Sequence, residues 1–190
     1  MRAVTADVMR GPLRDHAHDL ARVATLSGGD ASAAAIDGLT QLALRVAPAV
    51  VDRLPFEVPL GPNTAAKTGA IDVLWLGPDE WLVVAPDSPS TIARDIGDAV
   101  AGEHHAVVGV SANRAVIELG GPRRRSLLSS RCPLDLHPRA WRPGACAQTL
   151  LGRCPVLLRE RSEDTWLFVR PSFAGYVVDL LVDAAAMRRA

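Results

Sequence analysis

The chain has 190 residues, 48% hydrophobic and 22% charged, and its 21 basic and 21 acidic residues give a formal net charge of zero. This composition is typical of a globular protein and excludes a disordered chain. The balanced charge gives no indication of binding to nucleic acid or to an anionic membrane. The sequence shows neither a signal-peptide pattern nor an apolar run of ~18 residues. With three cysteines, an odd number, it predicts reduced thiols and a cytoplasmic protein.

The first 40 residues show little apolar periodicity. Gly28-Gly29 and the alanine-rich run at 31–35 lie among polar residues. Residues 1–40 are therefore predicted to form a weakly organised N-terminal arm. The first apolar run follows at 42–51, where Pro48 predicts a short helix that ends near Leu54.

Residues 61–69, GPNTAAKTG, resemble a phosphate-binding loop only in part. Lys67 and Thr68 fit that motif, but Ala66 stands where its last glycine is required and Pro62 removes a backbone donor. A strand rather than a helix is expected to follow. The sequence therefore predicts a polar loop here, not a phosphate site.

The most regular pattern is a β-hairpin over residues 71–86 with its turn at 77–80. Ser88-Pro89 predicts the start of a helix that ends at Gly102 and presents Ile92, Ile96 and Val100 on one face. Later helices are predicted after Gly120-Gly121-Pro122, with Leu127 and Leu128 inward, and from Ser172, with Phe173, Tyr176, Val177, Leu180, Leu181 and Ala184 on its apolar face. Later strands are predicted at 106–111, 115–119, 149–151, 156–161 and 166–170.

Residues 79–86 and 164–171 share five of eight positions at an offset of 85. Both copies follow a predicted strand and precede a predicted helix, which favours two related halves over a chance match. Short strands in hairpins with amphipathic helices predict an α+β fold. We assign the chain an arm at 1–40 and one α+β domain at 41–190, with halves at about 41–130 and 131–190.

The stretch Cys132–Leu158 concentrates residues that could carry chemistry. Cys132, Asp135 and His137 have the residue types of a thiol nucleophile with its base and orienter, but adjacency in sequence is weak evidence for such a site. All three cysteines are better interpreted as buried structural residues. Their spacing does not suit zinc. With its prolines, the stretch is predicted to be a rigid connector that joins the two halves and presents Trp141 to a partner.

The triplet Arg123-Arg124-Arg125 is the sharpest charge signal in the sequence. Three cations in the first turn of a helix oppose the helix dipole. The simpler interpretation is an exposed, hydrated face, and the functional one is contact with an acidic partner surface or a phosphate group. From the residues alone, no catalytic triad, metal set or dinucleotide motif is identified.

Four segments together resemble the sarcosine oxidase gamma subunit family. They are LGPDEWLVV at 76–84, VSANRAVIELGGP at 110–122, the stretch Cys132–Leu158, and SFAGYVVDLL at 172–181. The resemblance extends from about residue 42 to residue 186 in consistent order. It does not cover residues 1–40.

The resemblance implies an α+β fold of two similar halves, like the folate-binding domain of the glycine-cleavage aminomethyltransferase. It also implies a non-catalytic gamma subunit of a heterotetramer that oxidatively demethylates sarcosine to glycine, with hydrogen peroxide and formaldehyde or methylene-tetrahydrofolate as products. The implied partners are alpha, beta and delta subunits. FAD, FMN, NAD and folate are expected on the larger alpha and beta subunits, and zinc on delta.

No catalytic, cofactor-binding or metal-binding residue is carried over to this chain from the family. The residues predicted to contact a partner are Trp141, Arg123, Arg124 and Arg125. Two other functions remain open at this point: a stand-alone folate-dependent one-carbon transfer protein, and an interaction module without an oxidase.

Overall fold

Two antiparallel five-stranded sheets organise the chain in a computed structural model, which describes residues 11–86 and 88–187. The strands are β1 (Ser32–Ile36), β2 (Thr40–Val46), β3 (Ala65–Thr68), β4 (Ile71–Gly77), β5 (Glu80–Ala85), β6 (His105–Gly109), β7 (Ala115–Gly120), β8 (Cys146–Leu151), β9 (Cys154–Glu160) and β10 (Asp164–Val169). The helices are α1 (Ala17–Leu26), α2 (Pro89–Ala99), α3 (Arg124–Ser129) and α4 (Ala174–Ala186). Short 3-10 helices lie at Arg14–His16, Pro48–Arg53, Ser111–Asn113 and Pro171–Phe173.

The two sheets have the same topology. The first has the strand order β3-β4-β5-β2-β6, and the second has the order β8-β9-β10-β7-β1. In each sheet, three consecutive hairpin strands lie beside one earlier strand, and an edge strand follows. In the second sheet that edge strand, β1, comes from the N-terminal part of the chain. The predicted α+β fold with two similar halves is therefore confirmed.

The sheets pack face to face, with the helices on the outer faces. Between them lies one apolar cluster that includes Leu74, Leu82, Leu157 and Phe168. The outer face of the first sheet packs against α2, and that of the second packs against α1, α3 and α4. Central strands such as β5 and β10 are thus buried on both faces, as expected for strands whose sequences are almost continuously apolar.

The predicted hairpin and the predicted helix that follows it are both present. β4 and β5 are joined by Pro78-Asp79, and α2 has Pro89 at its first turn. The three residues predicted to face inward from this helix, Ile92, Ile96 and Val100, are all buried.

The internal repeat lies on corresponding strands, β5 and β10, but not in corresponding register. Trp81 packs on the helix side of the first sheet, whereas Trp166 lies between the two sheets. A shift of one residue along a strand exchanges its two faces. The offset of 85 therefore identifies related strands without aligning their side chains.

Three predictions are wrong within the described residues. The arm predicted at 1–40 instead contains α1 and β1, and residues 1–10 lie outside the described part. The loop predicted at 61–69 contains β3, which pairs with β4. On the predicted last helix, Phe173, which lies in the 3-10 helix before α4, and Tyr176 are each 41% exposed rather than buried. β7 lies within the half predicted at 41–130 but belongs to the second sheet. The division into domains and the boundaries of those domains stay a prediction.

Gly121 allows the N-terminal segment to lie close against the turn that follows β7. Its φ is +85°, and a Cβ at this position would lie 2.5 Å from the Asp30 carbonyl oxygen. Gly102 has the same φ of +85° with no neighbouring atom within 4 Å of such a Cβ. Gly102 therefore provides a control for backbone strain alone.

We expect Gly121→Ala to destabilise the fold by about 2 kcal/mol more than Gly102→Ala. The left-handed backbone is common to both variants, at a cost of ~1–2 kcal/mol, and only Gly121→Ala adds the clash with Asp30. Denaturant unfolding of the two variants measures the difference. Equal losses would show that the contact with Asp30 does not constrain this turn.

Candidate functional site

The structure does not assemble the hypothetical nucleophile at Cys132. The thiol is buried, with its sulfur 3.8 Å from the hydroxyl oxygen of Thr149. Asp135 and His137 are exposed, and a carboxylate oxygen of Asp135 accepts a hydrogen bond of 2.9 Å from the His137 backbone N–H. The thiol therefore faces the core, whereas the aspartate and histidine form a local turn at the surface.

All three cysteines are buried and free, as predicted for structural residues. Burial raises the pKa of the Cys146 thiol to about 11, and burial also raises the pKa of Cys154. The thiolate is the nucleophilic form, so the Cys146 side chain is a neutral hydrogen-bond donor at pH 7. It donates to the carbonyl oxygen of Thr64 at 3.1 Å.

A buried carboxylate, Glu160, lies at the centre of a polar network that we name the Glu160 cluster. One carboxylate oxygen accepts hydrogen bonds from Arg124 (3.0 Å) and Arg125 (2.6 Å). The other accepts from the indole N–H of Trp141 (2.9 Å) and from the hydroxyl of Thr165. Glu160 is 0% exposed. The cluster thereby joins α3, the connector, β9 and β10.

The Glu160 cluster explains how two of the three arginines at the start of α3, Arg124 and Arg125, are tolerated there. Arg124 and Arg125 oppose the helix dipole, but both form salt bridges with Glu160. Their side chains are only 11% and 23% exposed. The Nε atoms of both are buried and lack a hydrogen-bond partner among the described residues. The basic residues are therefore held inside the fold by one carboxylate, not displayed as a hydrated face.

This arrangement changes the predicted partner surface. Trp141 and Arg124 are buried, so they face the interior and are not displayed for a partner. Arg123 is half-buried, and part of Arg125 reaches solvent. The role of these four residues in partner contact stays a prediction.

Glu160 was missed in the sequence analysis. Arg159-Glu160, at the end of the apolar strand residues 156–158, was a usable signal, because charges in a buried strand need partners.

A groove of about 420 Å³ lies between α3 and the loop at 132–138. We name it the α3 groove. It brings together Arg125 with Asp135 and His137, the two residues considered in the sequence as partners of a thiol nucleophile. Its lining residues are Pro122, Arg125, Ser126, Ser129, Leu134, Asp135, Leu136, His137 and Pro138.

Besides the Glu160 cluster, the fold contains a buried ion pair that joins the two sheets. The Nε atom of Arg159 on β9 lies 3.1 Å from a carboxylate oxygen of Asp72 on β4, and the two side chains are 5% and 1% exposed. Arg159 also donates to the Glu160 carbonyl oxygen at 2.8 Å. The Asp72–Arg159 pair and the Glu160 cluster are therefore contiguous along the backbone of β9.

The residues around the start of β8 are hydrogen-bonded to those around the start of β3. The Ala65 N–H donates to the Gly144 carbonyl oxygen at 2.7 Å, and the Cys146 N–H donates to the Asn63 carbonyl oxygen at 2.9 Å. These bonds link the stretch Cys132–Leu158 to the first sheet. Only residues 132–145 of the stretch connect elements, however, because the rest forms β8 and most of β9 of the second sheet.

The side chains and helices of residues 11–86 and 88–187 bear on metal ligation and membrane insertion. No group of three or more histidine, cysteine, aspartate or glutamate side chains in these ranges could hold a metal ion. None of the helices in them has the length and apolar character needed to cross a membrane.

Comparison with known proteins gives consistent matches. The profile of the family described as SoxG, sarcosine oxidase, gamma subunit family, matches residues 40–187. Sarcosine oxidase subunit gamma of Arthrobacter sp. is 37% identical over 153 residues, which cover 76% of this chain and 75% of that protein. Sarcosine oxidase subunit gamma of Corynebacterium sp. (strain P-1) is 35% identical over 191 residues, covering 95% of this chain and 91% of that protein.

Solved structures agree with these matches. A chain of the heterotetrameric sarcosine oxidase from Corynebacterium sp. U-96, in complex with pyrrole 2-carboxylate, superposes with a TM-score of 0.85 and 28% identity. The match covers 97% of this chain and all of that chain. Glycine cleavage system aminomethyltransferase T from Bartonella henselae shares the fold, with a TM-score of 0.59 and 13% identity over 88% of this chain and 52% of that chain. On the profile, the sequence identities and the superposition together, this chain belongs to the sarcosine oxidase gamma subunit family.

Proposed function

We propose that this chain is the gamma subunit of a heterotetrameric sarcosine oxidase and that it stabilises the complex without supplying a catalytic residue. The observation that carries the proposal is the superposition over 97% of this chain with a chain of such a heterotetramer. The contacts of the charged residues support the non-catalytic role. Arg124, Arg125 and Glu160 bind one another in the interior, so these charges serve the fold.

The complex in which we place the chain contains alpha, beta and delta subunits. It demethylates sarcosine oxidatively to glycine, with hydrogen peroxide and formaldehyde or methylene-tetrahydrofolate as products, in the cytoplasm. FAD, FMN, NAD and folate are bound by the larger alpha and beta subunits, and zinc by delta. These assignments follow from the family and rest on no residue of this chain.

We further propose that the α3 groove and the neighbouring Arg123 contact the alpha subunit. The exposed part of Arg125 and the half-buried Arg123 give this face two basic groups against one exposed carboxylate, that of Asp135, so an acidic segment of the partner suits its basic end. Trp141 and Arg124 contribute indirectly, because their bonds to Glu160 and the Glu160–Arg125 bond hold α3 and the connector in position. Docking then uses a surface that the Glu160 cluster orders beforehand.

Omitting this chain from a co-expressed oxidase tests the stabilising role. We expect the remaining subunits to assemble in lower yield and to melt at a lower temperature, because a bound subunit stabilises the folded state of its partners. The rate per bound flavin should stay within about twofold of that of the full complex, since no transition-state contact is removed. Melting curves and flavin-normalised rates of both preparations are the measurements.

Two outcomes would contradict the proposal. A fall of about tenfold or more in the rate per flavin, equal to ~1.4 kcal/mol of barrier, with assembly intact, would assign the chain a catalytic role. Unchanged yield and melting temperature would indicate an interaction module that acts outside the oxidase.

A further inference from the structure

A cleft of about 390 Å³, which shares no lining residue with the α3 groove, lies at the margin of the interface between the two sheets. We name it the Arg114 cleft. Its lining residues include Leu157 and Phe168, which belong to the apolar cluster between the sheets. Gln148, also in the lining, donates to the Leu76 carbonyl oxygen of the opposite sheet at 3.1 Å. The cleft is therefore a part of the inner face of the second sheet that the first sheet leaves uncovered.

Two guanidinium groups, those of Arg114 and Arg170, line this cleft. Arg170 donates to the side-chain oxygen of Asn113 at 2.7 Å and forms no salt bridge within 11–86 and 88–187. The Arg114 guanidinium is half-buried and has neither a hydrogen bond nor a salt bridge to any described residue. Burial and, second, the charge of Arg170 lower the pKa of Arg114, while Glu80 raises it.

The backbone of Arg114 is held in place by hydrogen bonds. Its carbonyl oxygen accepts a hydrogen bond of 2.9 Å from the side-chain amide of Gln41, which is itself buried. The Gln41 backbone N–H donates in turn to the Ser111 hydroxyl at 3.0 Å. The half-buried Arg114 guanidinium thus lies beside a second cation and is attracted by the charge of Glu80 without a bond to it, so its N–H groups are open to an anion.

We propose that the Arg114 cleft binds a small carboxylate with an apolar body. The carboxylate bonds to Arg114 and Arg170, because the planar guanidinium group matches a carboxylate in two parallel hydrogen bonds. The apolar body lies on the wall formed by Leu150 and Pro155, where Leu150 is 44% exposed. This volume falls within the range of small-molecule sites. The ligand class does not depend on the proposed subunit role.

Titration of the full-length chain with benzoate, benzyl alcohol and inorganic phosphate tests the proposal. Benzoate should give saturable shifts in the arginine side-chain N–H resonances and should bind at least about tenfold more tightly than benzyl alcohol, which lacks the charge. It should also bind more tightly than phosphate, which lacks the apolar body. Benzoate binding no tighter than that of benzyl alcohol would overturn the carboxylate assignment, and phosphate binding as tight would overturn the apolar one.

Variants identify the residues responsible. Arg114→Gln and, separately, Arg170→Gln should each weaken benzoate binding by about tenfold or more. The matched control is Arg94→Gln, which removes the same charge from an exposed position of α2 outside the cleft. Because Arg170 is exposed, its variant keeps the test valid if Arg114→Gln fails to fold. Equal affinity in Arg170→Gln and Arg94→Gln would overturn the proposed site.

Discussion

Replacing Glu160 with glutamine is expected to destabilise the protein by about 3 kcal/mol or more. The substitution keeps the size of the side chain but leaves Arg124 and Arg125 without their counter-charge in a buried position. An amide also cannot present acceptor oxygens on both sides of the cluster, so either an arginine or the Trp141 indole loses its acceptor. Denaturant unfolding, followed by tryptophan fluorescence, measures the change in the free energy of unfolding.

The control for this variant is Glu80→Gln. Glu80 forms a salt bridge with Arg45 at 2.6 Å, the same length as the Glu160–Arg125 contact, but the two side chains are 32% and 56% exposed. Water screens an exposed pair, so its loss should cost below about 1 kcal/mol. If Glu160→Gln is no more costly than Glu80→Gln, the Glu160 cluster does not hold α3 against the sheet.

Replacing Asp72 with asparagine is expected to cost about 3 kcal/mol, since it leaves Arg159 charged and uncompensated between the sheets. A double variant, Asp72→Val with Arg159→Met, should recover most of this loss, to within about 1 kcal/mol of the wild-type protein. The Glu160 carbonyl would keep the Gly144 N–H as its donor at 3.1 Å. Unfolding free energies of the single and double variants are the measurement.

The exposed pair of Arg53 and Glu103, 2.9 Å apart, provides the control through Glu103→Gln. That variant should change the unfolding free energy by below about 1 kcal/mol. A double variant that is as unstable as Asp72→Asn alone would show that the ion pair contributes more than charge compensation. Apolar side chains would then be unable to replace it at the interface of the sheets.

Elements with strong local signals could be predicted from the sequence. The β4–β5 hairpin has a turn-forming segment between two apolar runs, and α2 has proline at its first turn and apolar residues four apart. The 3-10 helix Pro48–Arg53 was likewise indicated by its proline. In each case the residues that specify the structure lie within one short window.

Elements that depend on distant partners were missed. β1 has the sequence SAAAI, in which the three alanines have weak strand propensity, and it is stabilised by pairing with β7. Ala33, for example, lies opposite Leu119, 86 positions later in the chain. Such pairing leaves no local pattern, so the segment had the composition of an arm.

The predicted partner residues illustrate the same limit. The arginine triplet and Trp141 are unusual in composition, and the sequence correctly indicated that they need an explanation. Their common partner, Glu160, is 35 residues from Arg125 and 19 from Trp141. The sequence alone therefore could not show that Arg124 and Trp141 face inward, or that Arg123 and part of Arg125 reach solvent.

The association of this chain with the other oxidase subunits is the central claim of the proposed function. Co-expression with the genes that flank its own, with an affinity tag on this chain alone, followed by size-exclusion chromatography with light scattering, tests it most directly. We predict elution in one stoichiometric complex that contains the flavin-bearing subunits. Elution as a stable monomer of 20.2 kDa, with those subunits expressed but not retained, would contradict the claim.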